Sequence, residues 1–301
     1  MNSELQRPSA TLRNAVIATV FAGACFASAA DKATRPAPGG LKSALVLHAS
    51  FDKGLDADFA AGDPKLYHTM TGNRTQSQPG LIEGQVVHAK GEGRFGDALR
   101  FTKKDKPVLF FRGDKNIGFR TNDWSGACSL WLRLNPDEDL KPGYCDPLQF
   151  VGGVWAQGAF FVEFSKDHTP REFRLGIMPI TKLWNPDNRK YEEMPTPERP
   201  IVLVKTPPFS REKWTHIVFT FGNAQTGHKD GWGKLWLNGA PQGELKGWEL
   251  SFAWKAEETA LTLGPNYIGL MDDIAVFNRP LTDAEVKTIF NAKGGVAELV
   301  K

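Results

Sequence analysis

The chain has 301 residues and a formal net charge of +3, with 37 Lys and Arg residues against 34 Asp and Glu residues. Hydrophobic residues make up 41% and charged residues 24%, which is typical of a globular protein and excludes a disordered chain, a coiled coil, a collagen-like chain and a multi-pass membrane protein. So balanced a charge argues against nucleic-acid binding, which depends on an excess of basic side chains. The 30 Gly and 20 Pro residues interrupt regular structure and favour many short elements joined by turns.

The first 29 residues have the three parts of a secretory signal peptide. Arg7 and Arg13 lie in a polar leader, the run 14–26 is apolar, and residues 27–29 (Ala-Ser-Ala) are the small residues that a signal peptidase requires. We therefore predict a signal peptide at 1–29, a mature chain starting near Ala30, and export to the periplasm, the medium or the cell surface. The apolar run is shorter than the ~20 residues that span a bilayer, so no transmembrane segment is expected in the mature chain.

The three cysteines have different expected roles. Cys25 ends the sequence Ala-Gly-Ala-Cys, which resembles a lipobox but lacks the usual Leu, so lipid anchoring there is the alternative to cleavage after residue 29. Cys128 and Cys145 remain after cleavage, and an oxidising compartment allows them to form a disulfide. Such a bond would contribute roughly 3 kcal/mol if it were unstrained. The alternative is that Cys128, in an apolar run, is simply a small buried residue.

Residues 30–43 are rich in Pro and Gly and are predicted to be a linker to a β-rich domain at 44–293. Short apolar or alternating runs bounded by turn residues predict strands at 44–51, 106–111, 127–134, 159–164, 172–178, 214–221 and 234–237. The alternation in 160–164 and 173–177 indicates one buried face and one face in water. Asn238-Gly239 predicts a hairpin turn.

One helix is predicted near the C-terminus, from Thr282 to about Ala292. Thr282 and Glu285 form a capping box, Gly294 and Gly295 end the helix, and 294–301 is expected to be a tail. Many strands with one terminal helix predict an all-β fold, a two-sheet antiparallel jelly-roll sandwich. The Pro-, Asn- and charge-rich stretch 179–200 is predicted to be a long excursion from the sheets, where binding residues often lie.

Four segments, in order along the chain, resemble laminin-G-like domains of the concanavalin A-like lectin/glucanase superfamily. Residues 268–285 (IGLMDDIAVFNRPLTDAE) look like the closing strand and helix of these domains. Residues 45–52 (LVLHASFD) resemble the opening strand, and 96–101 (GDALRF) resemble the G-x-A-L-x-F strand. Residues 214–220 (WTHIVFT) with 234–239 (KLWLNG) look like the central hairpin pair. The resemblance implies a concanavalin A-like jelly roll but no activity, since lectins, hydrolases, lyases and adhesion modules share this fold.

Sequence motifs for catalysis are missing. In laminarinase-like members of the superfamily the resemblance would imply Glu-x-Asp-x-x-Glu, and no Glu in this chain has Asp two residues after it. Glu163 and Glu172 lie on predicted strands and are the candidates for a divergent carboxylate pair, the alternative being outward-facing charges that keep the sheet soluble. The six His residues show no HxH or HExxH spacing, and there is no Gly-x-Ser-x-Gly elbow. The sequence therefore favours binding over catalysis, and we name no catalytic residues.

Calcium is the metal ion that the aspartate residues of this chain favour, because it prefers carboxylate oxygens as ligands. The resemblance places the first and last strands side by side, which would bring Asp52 towards Asp272 and Asp273. Alternation would put Asp272 on the inward face with Ile274, where a carboxylate needs a counter-charge or hydrogen-bond donors. A structural Ca²⁺ ion would supply the counter-charge, and laminin-G-like relatives often carry one. The alternative is a carboxylate satisfied by backbone N–H groups or by Arg279.

The nine Trp residues lie between Trp124 and Trp254, and those near loops are candidate sugar platforms. Sugars pack their C–H faces on aromatic rings, and carbohydrate sites combine such rings with polar side chains. The alternative for each ring is hydrophobic packing beneath a loop. The candidate ligand-binding residues are Trp155, Trp184, Asn185, Asp187, Arg189, Tyr191 and Trp232.

Together these features predict an exported, non-catalytic, lectin-like module that recognises a glycan or cell-surface polysaccharide. The first alternative is a polysaccharide hydrolase or lyase with a divergent active site. The second is an adhesion or scaffold module whose partner is a protein.

Overall fold

The computed structural model describes residues 40–71, 73–104 and 108–301. The predicted signal peptide 1–29, Cys25 and most of the predicted linker 30–43 lie outside these residues. The last residues of the linker form the helix α1 (Gly40–Ala44), so ordered structure begins before residue 44. No helix in the described ranges is both long and apolar enough to cross a membrane.

Two antiparallel sheets and a few short helices make up the fold, which confirms the predicted all-β sandwich. The strands, in chain order, are β1 (Leu45–Ala49), β2 (Phe59–Ala60), β3 (Leu66–Thr69), β4 (Gln78–Pro79), β5 (Val86–Ala89), β6 (Ala98–Phe101), β7 (Val108–Arg112), β8 (Trp124–Arg133), β9 (Cys145–Val151), β10 (Ala159–Phe164), β11 (Phe173–Met178), β12 (Ile201–Val204), β13 (Thr215–Ala224), β14 (Gly231–Leu237), β15 (Ala240–Trp248), β16 (Ala260–Leu263) and β17 (Gly269–Phe277). The remaining α-helices are α2 (Pro136–Asp139), α3 (Thr181–Trp184), α4 (Asp283–Asn291) and α5 (Gly295–Leu299).

The strand order shows how the chain crosses between the sheets. In the described part of the chain, the first sheet runs β15-β14-β13-β8-β17-β1-β2, with β6 also paired to β17 and β5 to β6. The second sheet runs β12-β11-β10-β9-β16-β7-β3-β4. Neighbours that are distant in sequence, such as β1 beside β17, are what the resemblance to laminin-G-like domains implied.

The main core lies between the two sheets and is built from alternate side chains of both. Trp124 at the start of β8 is fully buried, and its ring centroid lies 4.6 Å from that of Phe221, 6.0 Å from Phe160 and 6.2 Å from Phe150. Each large apolar side chain buried in this way contributes about 1.5–3 kcal/mol relative to an exposed one. The β-strand alternation seen in the sequence therefore corresponds to a contiguous core.

Helices cover the outer face of the first sheet. Val286 and Ile289 of α4 and Val296 of α5 pack against Val218 and Ala275. The segment 294–301, which the sequence predicts as a tail, thus contains α5 and contributes a buried side chain to the fold.

Two local predictions are confirmed. Asn238 and Gly239 connect β14 to β15 with φ values of 50° and 74°, the left-handed pair that a tight hairpin turn requires. Thr282 caps α4, because its side chain accepts a bond from the N–H of Glu285 at 3.2 Å and the Glu285 carboxylate accepts one from the N–H of Thr282 at 2.9 Å. The same carboxylate is paired with Arg279 at 2.7 Å.

The stretch 179–200 folds over the outer face of the second sheet. Trp184 and Met194 are buried there together with Phe161 of β10 and Met178 of β11. Every residue of β11 is buried as a result. The expectation that 160–164 and 173–177 have one face in water is therefore wrong, since the excursion covers the face that alternation turns outward.

A β-bulge at Asp273 changes which way Asp272 points. Asp273 has a φ of 49°, and the pairing of β17 with β8 shifts between Asp272 and Ala275. The extra residue puts Asp272 opposite Trp131 on the outer face, whereas Ile274 points into the core. The expected inward orientation of Asp272 beside Ile274 is wrong for this reason.

Cys128 and Cys145 are free thiols in the structure, so the expected disulfide between them is not formed. Cys128 belongs to β8 of the first sheet, and Cys145 begins β9 of the second, with its sulfur 3.4 Å from the carbonyl oxygen of Gly143. Burial raises the pKa of Cys145 to about 11, so this thiol is also a poor nucleophile.

Candidate functional site

The outer face of the second sheet brings aromatic and polar side chains into register. Tyr67, Phe110, Thr262, Gln149 and Phe161 lie opposite one another on β3, β7, β16, β9 and β10. Their chain neighbours point into the core, so these five side chains face away from it. One row across the sheet thus contains three aromatic rings, with two hydrogen-bonding side chains between Phe110 and Phe161.

Trp155 forms an exposed aromatic platform on this face. Its side chain is 51% exposed, and its ring lies at 26° to the ring of Phe161, with centroids 6.2 Å apart. Phe161 in turn lies over Gly176 of β11, where a Cβ atom would collide with the ring. The absence of a side chain at Gly176 therefore lets Phe161 lie flat and support Trp155.

The turn that carries Trp155 is held by its own hydrogen bonds. Residues 155–157 form a 3₁₀ turn, and the side-chain oxygen of Gln157 accepts a bond from the N–H of Val154 at 3.0 Å. Gly158 follows with a φ of 110°, a conformation that side chains disfavour. The platform is therefore fixed by backbone geometry as well as by Phe161.

A cavity of about 440 Å³ adjoins the same turn. Val154 and Gln157, on either side of Trp155, line one wall, and Phe110 and Arg112 of β7 line another. Further polar lining comes from Asn73, Arg74, Thr75, Glu257, Glu258 and Thr259. A sugar needs an aromatic ring for its C–H face and hydrogen-bond donors and acceptors for its hydroxyls, and this part of the face offers both.

A buried ion pair lies farther along the same face, on β10 and β11. Glu163 and Arg174 are 5% and 6% exposed and are paired across the two strands. The Arg174 guanidinium also donates to the hydroxyl of Tyr191 at 3.0 Å and lies 4.7 Å from the ring centroid of Tyr144. Burial and the nearby Glu163 carboxylate raise the pKa of Asp146 on β9 well above its usual range. The cluster is thus a compact polar group enclosed by two tyrosines.

The structure brings three of the predicted ligand-binding residues, Trp155, Trp184 and Tyr191, to this face. Trp184 is only 6% exposed, so the expectation that it is an exposed platform is wrong, because the excursion turns it inward onto Met178. Tyr191 is half-buried and holds Arg174. Trp232 belongs to β14 of the first sheet and does not join the others.

The polar candidates in the excursion mostly stabilise the excursion itself. Asn185 is buried and closes the loop by bonding the carbonyl oxygen of Arg189 at 2.8 Å and the N–H of Arg189 at 2.9 Å. The Arg189 guanidinium pairs with Glu198 at 2.5 Å, and Asp187 is exposed. Sequence reasoning placed these residues near a site because of their types, but their contacts are local.

The sequence did not mark five residues of this face as candidate site residues, namely Phe161, Gly176, Tyr144, Arg174 and Arg199. Hairpin symmetry could have found three of them, since strands predicted at 159–164 and 172–178, folded about residues 168–169, pair Glu163 with Arg174 and Phe161 with Gly176. No local signal marks Tyr144, which lies in a loop before β9.

Glu163 and Glu172 do not form a carboxylate pair. Glu163 is bound to Arg174, whereas a carboxylate oxygen of Glu172 lies 3.7 Å from Nδ1 of His168. An acid and a nucleophile that cleave a glycosidic bond must both face the substrate. The contacts of these two residues do not provide that arrangement.

The three aspartates proposed as calcium ligands are held by other groups. Asp272 accepts bonds from the N–H groups of Arg94 at 2.6 Å, Phe95 at 3.0 Å and Asp273 at 2.6 Å. The Asp273 carboxylate lies 2.7 Å from His48 Nε2, and Asp52 accepts from the N–H of Asp97 at 2.8 Å. The alternative of backbone N–H groups is confirmed for Asp272.

These contacts fit calcium poorly. Backbone N–H donors already occupy both carboxylate oxygens of Asp272. The described residues also contain no group of three or more His, Cys, Asp or Glu side chains placed to hold a metal. Calcium therefore stays a prediction from the sequence, without a donor set here that supports it.

We expect the melting temperature to be the same in EDTA and in millimolar CaCl₂, because N–H donors already supply the partial positive charge that Asp272 needs. Differential scanning calorimetry on the dialysed protein measures this directly. A midpoint that drops in EDTA and is restored by Ca²⁺, but not by Mg²⁺, would instead support the calcium hypothesis.

The fold resembles solved structures of low sequence identity. Domain 4 of AbnA, a GH43 extracellular arabinanase from Geobacillus stearothermophilus solved with arabinotriose, is 19% identical, with 81% of this chain and 97% of that chain covered and a TM-score of 0.45. The binding domain of botulinum neurotoxin DC, solved with rat synaptotagmin II, is 14% identical, with 84% and 52% covered and a TM-score of 0.54. The binding domain of Paraclostridial Mosquitocidal Protein 1 is 14% identical, with 83% and 52% covered and a TM-score of 0.50. This chain spans about half the length of the two toxin domains, and the likeness shows the fold alone.

No curated protein sequence matches the chain significantly. A family match covers residues 119–287, more than half of the chain, and extends from just before β8 into α4. It therefore includes the paired central strands of both sheets and the capped start of α4, and it contains residues 268–285, which resemble the closing strand and helix of these domains. The chain belongs to the laminin-G family of the concanavalin A-like lectin/glucanase superfamily.

Proposed function

We propose that the protein binds a glycan on the outer face of its second sheet, at Trp155 and the adjoining cavity. The observation that carries this proposal is the exposed indole of Trp155, supported from beneath by Phe161. A large aromatic ring that is half exposed and also held in one orientation gives a sugar a flat surface without an entropic cost of ordering the ring. The predicted export would bring such a module to extracellular glycans.

The polar groups beside Trp155 support a sugar ligand in particular. Arg112 and Gln157 in the cavity wall offer donors and an acceptor, and Glu257 offers a carboxylate. Sugar hydroxyls both donate and accept hydrogen bonds. A sugar therefore fits a cavity wall that contains donors and acceptors better than a purely apolar ligand does. The occupied contacts of Glu163 support binding over hydrolysis.

The substitution Trp155→Ala is expected to weaken glycan binding by about thirtyfold, since truncating a Trp at the centre of a binding site costs about 2 kcal/mol or more. Glycan-array screening of the wild type would identify the ligand, and titration calorimetry would then measure the loss. The exposed indole contributes little to the core, so the variant should keep its melting temperature within a few degrees.

Phe59→Ala is the matched control for exposed aromatic surface. Phe59 is 47% exposed but lies on β2 of the first sheet, away from the proposed site, so its loss should leave glycan binding unchanged. Trp155→Phe should retain part of the affinity because a flat ring remains. The proposal fails if the wild type binds no glycan on the array, or if Trp155→Ala binds as tightly as Phe59→Ala.

A further inference from the structure

A second cavity, of about 530 Å³, lies on the same outer face where the excursion 179–200 meets β10, β11 and β12. Basic and aromatic side chains line it, namely Tyr144, Lys166, His168, Arg174, Arg199 and Lys205, together with the carboxylates of Asp167, Glu172 and Glu192. Neither the sequence motifs nor the proposed sugar platform at Trp155 accounts for this group.

Cations and aromatic rings alternate along one wall of this cavity. The ammonium of Lys166 is 5.9 Å from the ring centroid of Tyr144, and the guanidinium of Arg174 lies 4.7 Å from Tyr144 and 5.0 Å from Tyr191. The guanidinium of Arg199, at the far end of the row, lies 4.8 Å from the ring centroid of Tyr191. Stacking on rings fixes the positions of these charges without neutralising them.

Only some of the cations in this wall have a carboxylate partner. Arg174 is paired with Glu163, and Lys166 with Glu192 at 3.0 Å. Within the described residues the guanidinium of Arg199 makes no ion pair, donates one hydrogen bond, to the hydroxyl of Thr196 at 2.8 Å, and has a buried Nε atom without an acceptor.

A buried donor without an acceptor is costly, and a guanidinium presents its donors as a fork that fits a carboxylate. The pairing of Arg174 with Glu163 shows the arrangement that Arg199 lacks. Lys205, exposed at the rim and also outside any ion pair of the described chain, adds a second positive charge. The donors of Arg199 and the charge of Lys205 suit an oxygen acceptor with negative charge.

We infer that this cavity binds a carboxylate of the ligand, so that the glycan recognised by the protein is an acidic one that contains uronic acid. The inference rests on the proposed function, because it names the class of glycan bound on that face. Trp155 would hold a sugar ring, and Arg199 would hold the carboxylate of another sugar along the chain.

The test compares uronate polymers with their carboxyl-reduced forms. Polygalacturonate, alginate and hyaluronan are immobilised beside the corresponding carboxyl-reduced polymers, and binding is measured by biolayer interferometry at 50 and 500 mM NaCl. The wild type should bind at least one uronate polymer about tenfold more tightly than its reduced form, since a bond to a charged group contributes about that factor. The preference should shrink at high salt.

Arg199→Gln should abolish the preference, and Arg199→Lys should keep part of it. Arg189→Gln is the matched control, because it removes the same charge from the same excursion, but Arg189 is paired with Glu198 and does not line the cavity. Equal binding of every uronate polymer and its reduced form, or an unchanged preference in Arg199→Gln, overturns the inference. In that case the proposed function still stands if the wild type binds neutral glycans through Trp155, and it falls as well if no glycan is bound.

Discussion

The contribution of His216 to the free energy of unfolding is expected to fall as the pH drops from about 6.5 towards 3, because His216 is buried in its neutral form. His216 is fully buried, and its ring stacks on Trp131 at 4.6 Å and lies 5.8 Å from Phe290 of α4. Its Nε2 atom is 2.8 Å from the hydroxyl of Ser129, and its Nδ1 atom has no partner in the described structure. Burial, with the positive charge of Arg94, lowers its pKa from 6.5 to about 3.

The sign follows from where the proton binds. Below pH 6.5 the unfolded chain protonates this histidine, whereas the folded chain keeps it neutral until about pH 3. The unfolded state therefore holds more protons in this window, and stability decreases as the pH falls. Across the whole window the loss amounts to about 5 kcal/mol, at 1.36 kcal/mol for each pKa unit.

Asp272, in the same cross-strand row as Trp131 and His216, acts in the opposite direction. Burial raises its pKa from 3.8 to about 7, so between these values the folded state holds a proton that the unfolded state has lost. Its contribution to stability consequently decreases as the pH rises through that window. Between about pH 4 and 6.5 the two residues offset each other, which makes single variants more informative than the wild-type curve.

Urea unfolding of variants between pH 3.5 and 7.5 separates the two effects. The double variant His216→Phe/Ser129→Ala removes the titrating ring, and it also removes the Ser129 hydroxyl, which would otherwise lose its hydrogen-bond partner. This variant should become more stable relative to wild type as the pH falls. Asp272→Asn should steepen the acid loss. His228→Phe changes an exposed histidine and should leave the slope unaltered. A double variant whose stability parallels that of the wild type throughout this range would show that His216 is not buried neutral.

Much of the fold could be predicted because its signals are local. The Asn238-Gly239 turn and the Thr282 capping box each depend on residues within a few positions, and the structure has both. The disposition of Asp272 could not be predicted in the same way. A bulge at Asp273 reverses the direction of the side chains around it, and a bulge is set by the pairing with β8 rather than by the sequence of β17.

The candidate site depends on non-local contacts to a greater degree. Trp155 and Trp184 both lie in loop-like sequence, yet Trp155 is half exposed and Trp184 is buried. The reason is that the excursion 179–200, which carries Trp184, folds back onto the sheet. Residue types marked both rings as candidate platforms without showing which of them remains exposed. Phe161 lies flat because Gly176 is its partner across the hairpin, a relation that requires the register.

Replacing Arg174 with Leu is expected to lower the free energy of unfolding by about 3–5 kcal/mol, the usual effect of removing one member of a buried ion pair. The variant would leave the Glu163 carboxylate 5% exposed and without its cation, next to the buried Asp146. Two neighbouring buried carboxyl groups cannot both be charged without a large penalty, so acid should partly restore the stability of Arg174→Leu.

The double variant Glu163→Leu/Arg174→Leu distinguishes the ion pair from simple packing. With both charges gone, two apolar side chains lie next to Phe161, and most of the loss should be recovered, because apolar replacements of a buried pair are often close to neutral. Arg211→Leu is the control, since Arg211 pairs with Asp139 at 2.5 Å on the surface and its loss should cost less than about 1 kcal/mol. If Arg174→Leu cost no more than Arg211→Leu, the pair would be solvated rather than buried, and the excursion 179–200 would not cover this face as the structure has it.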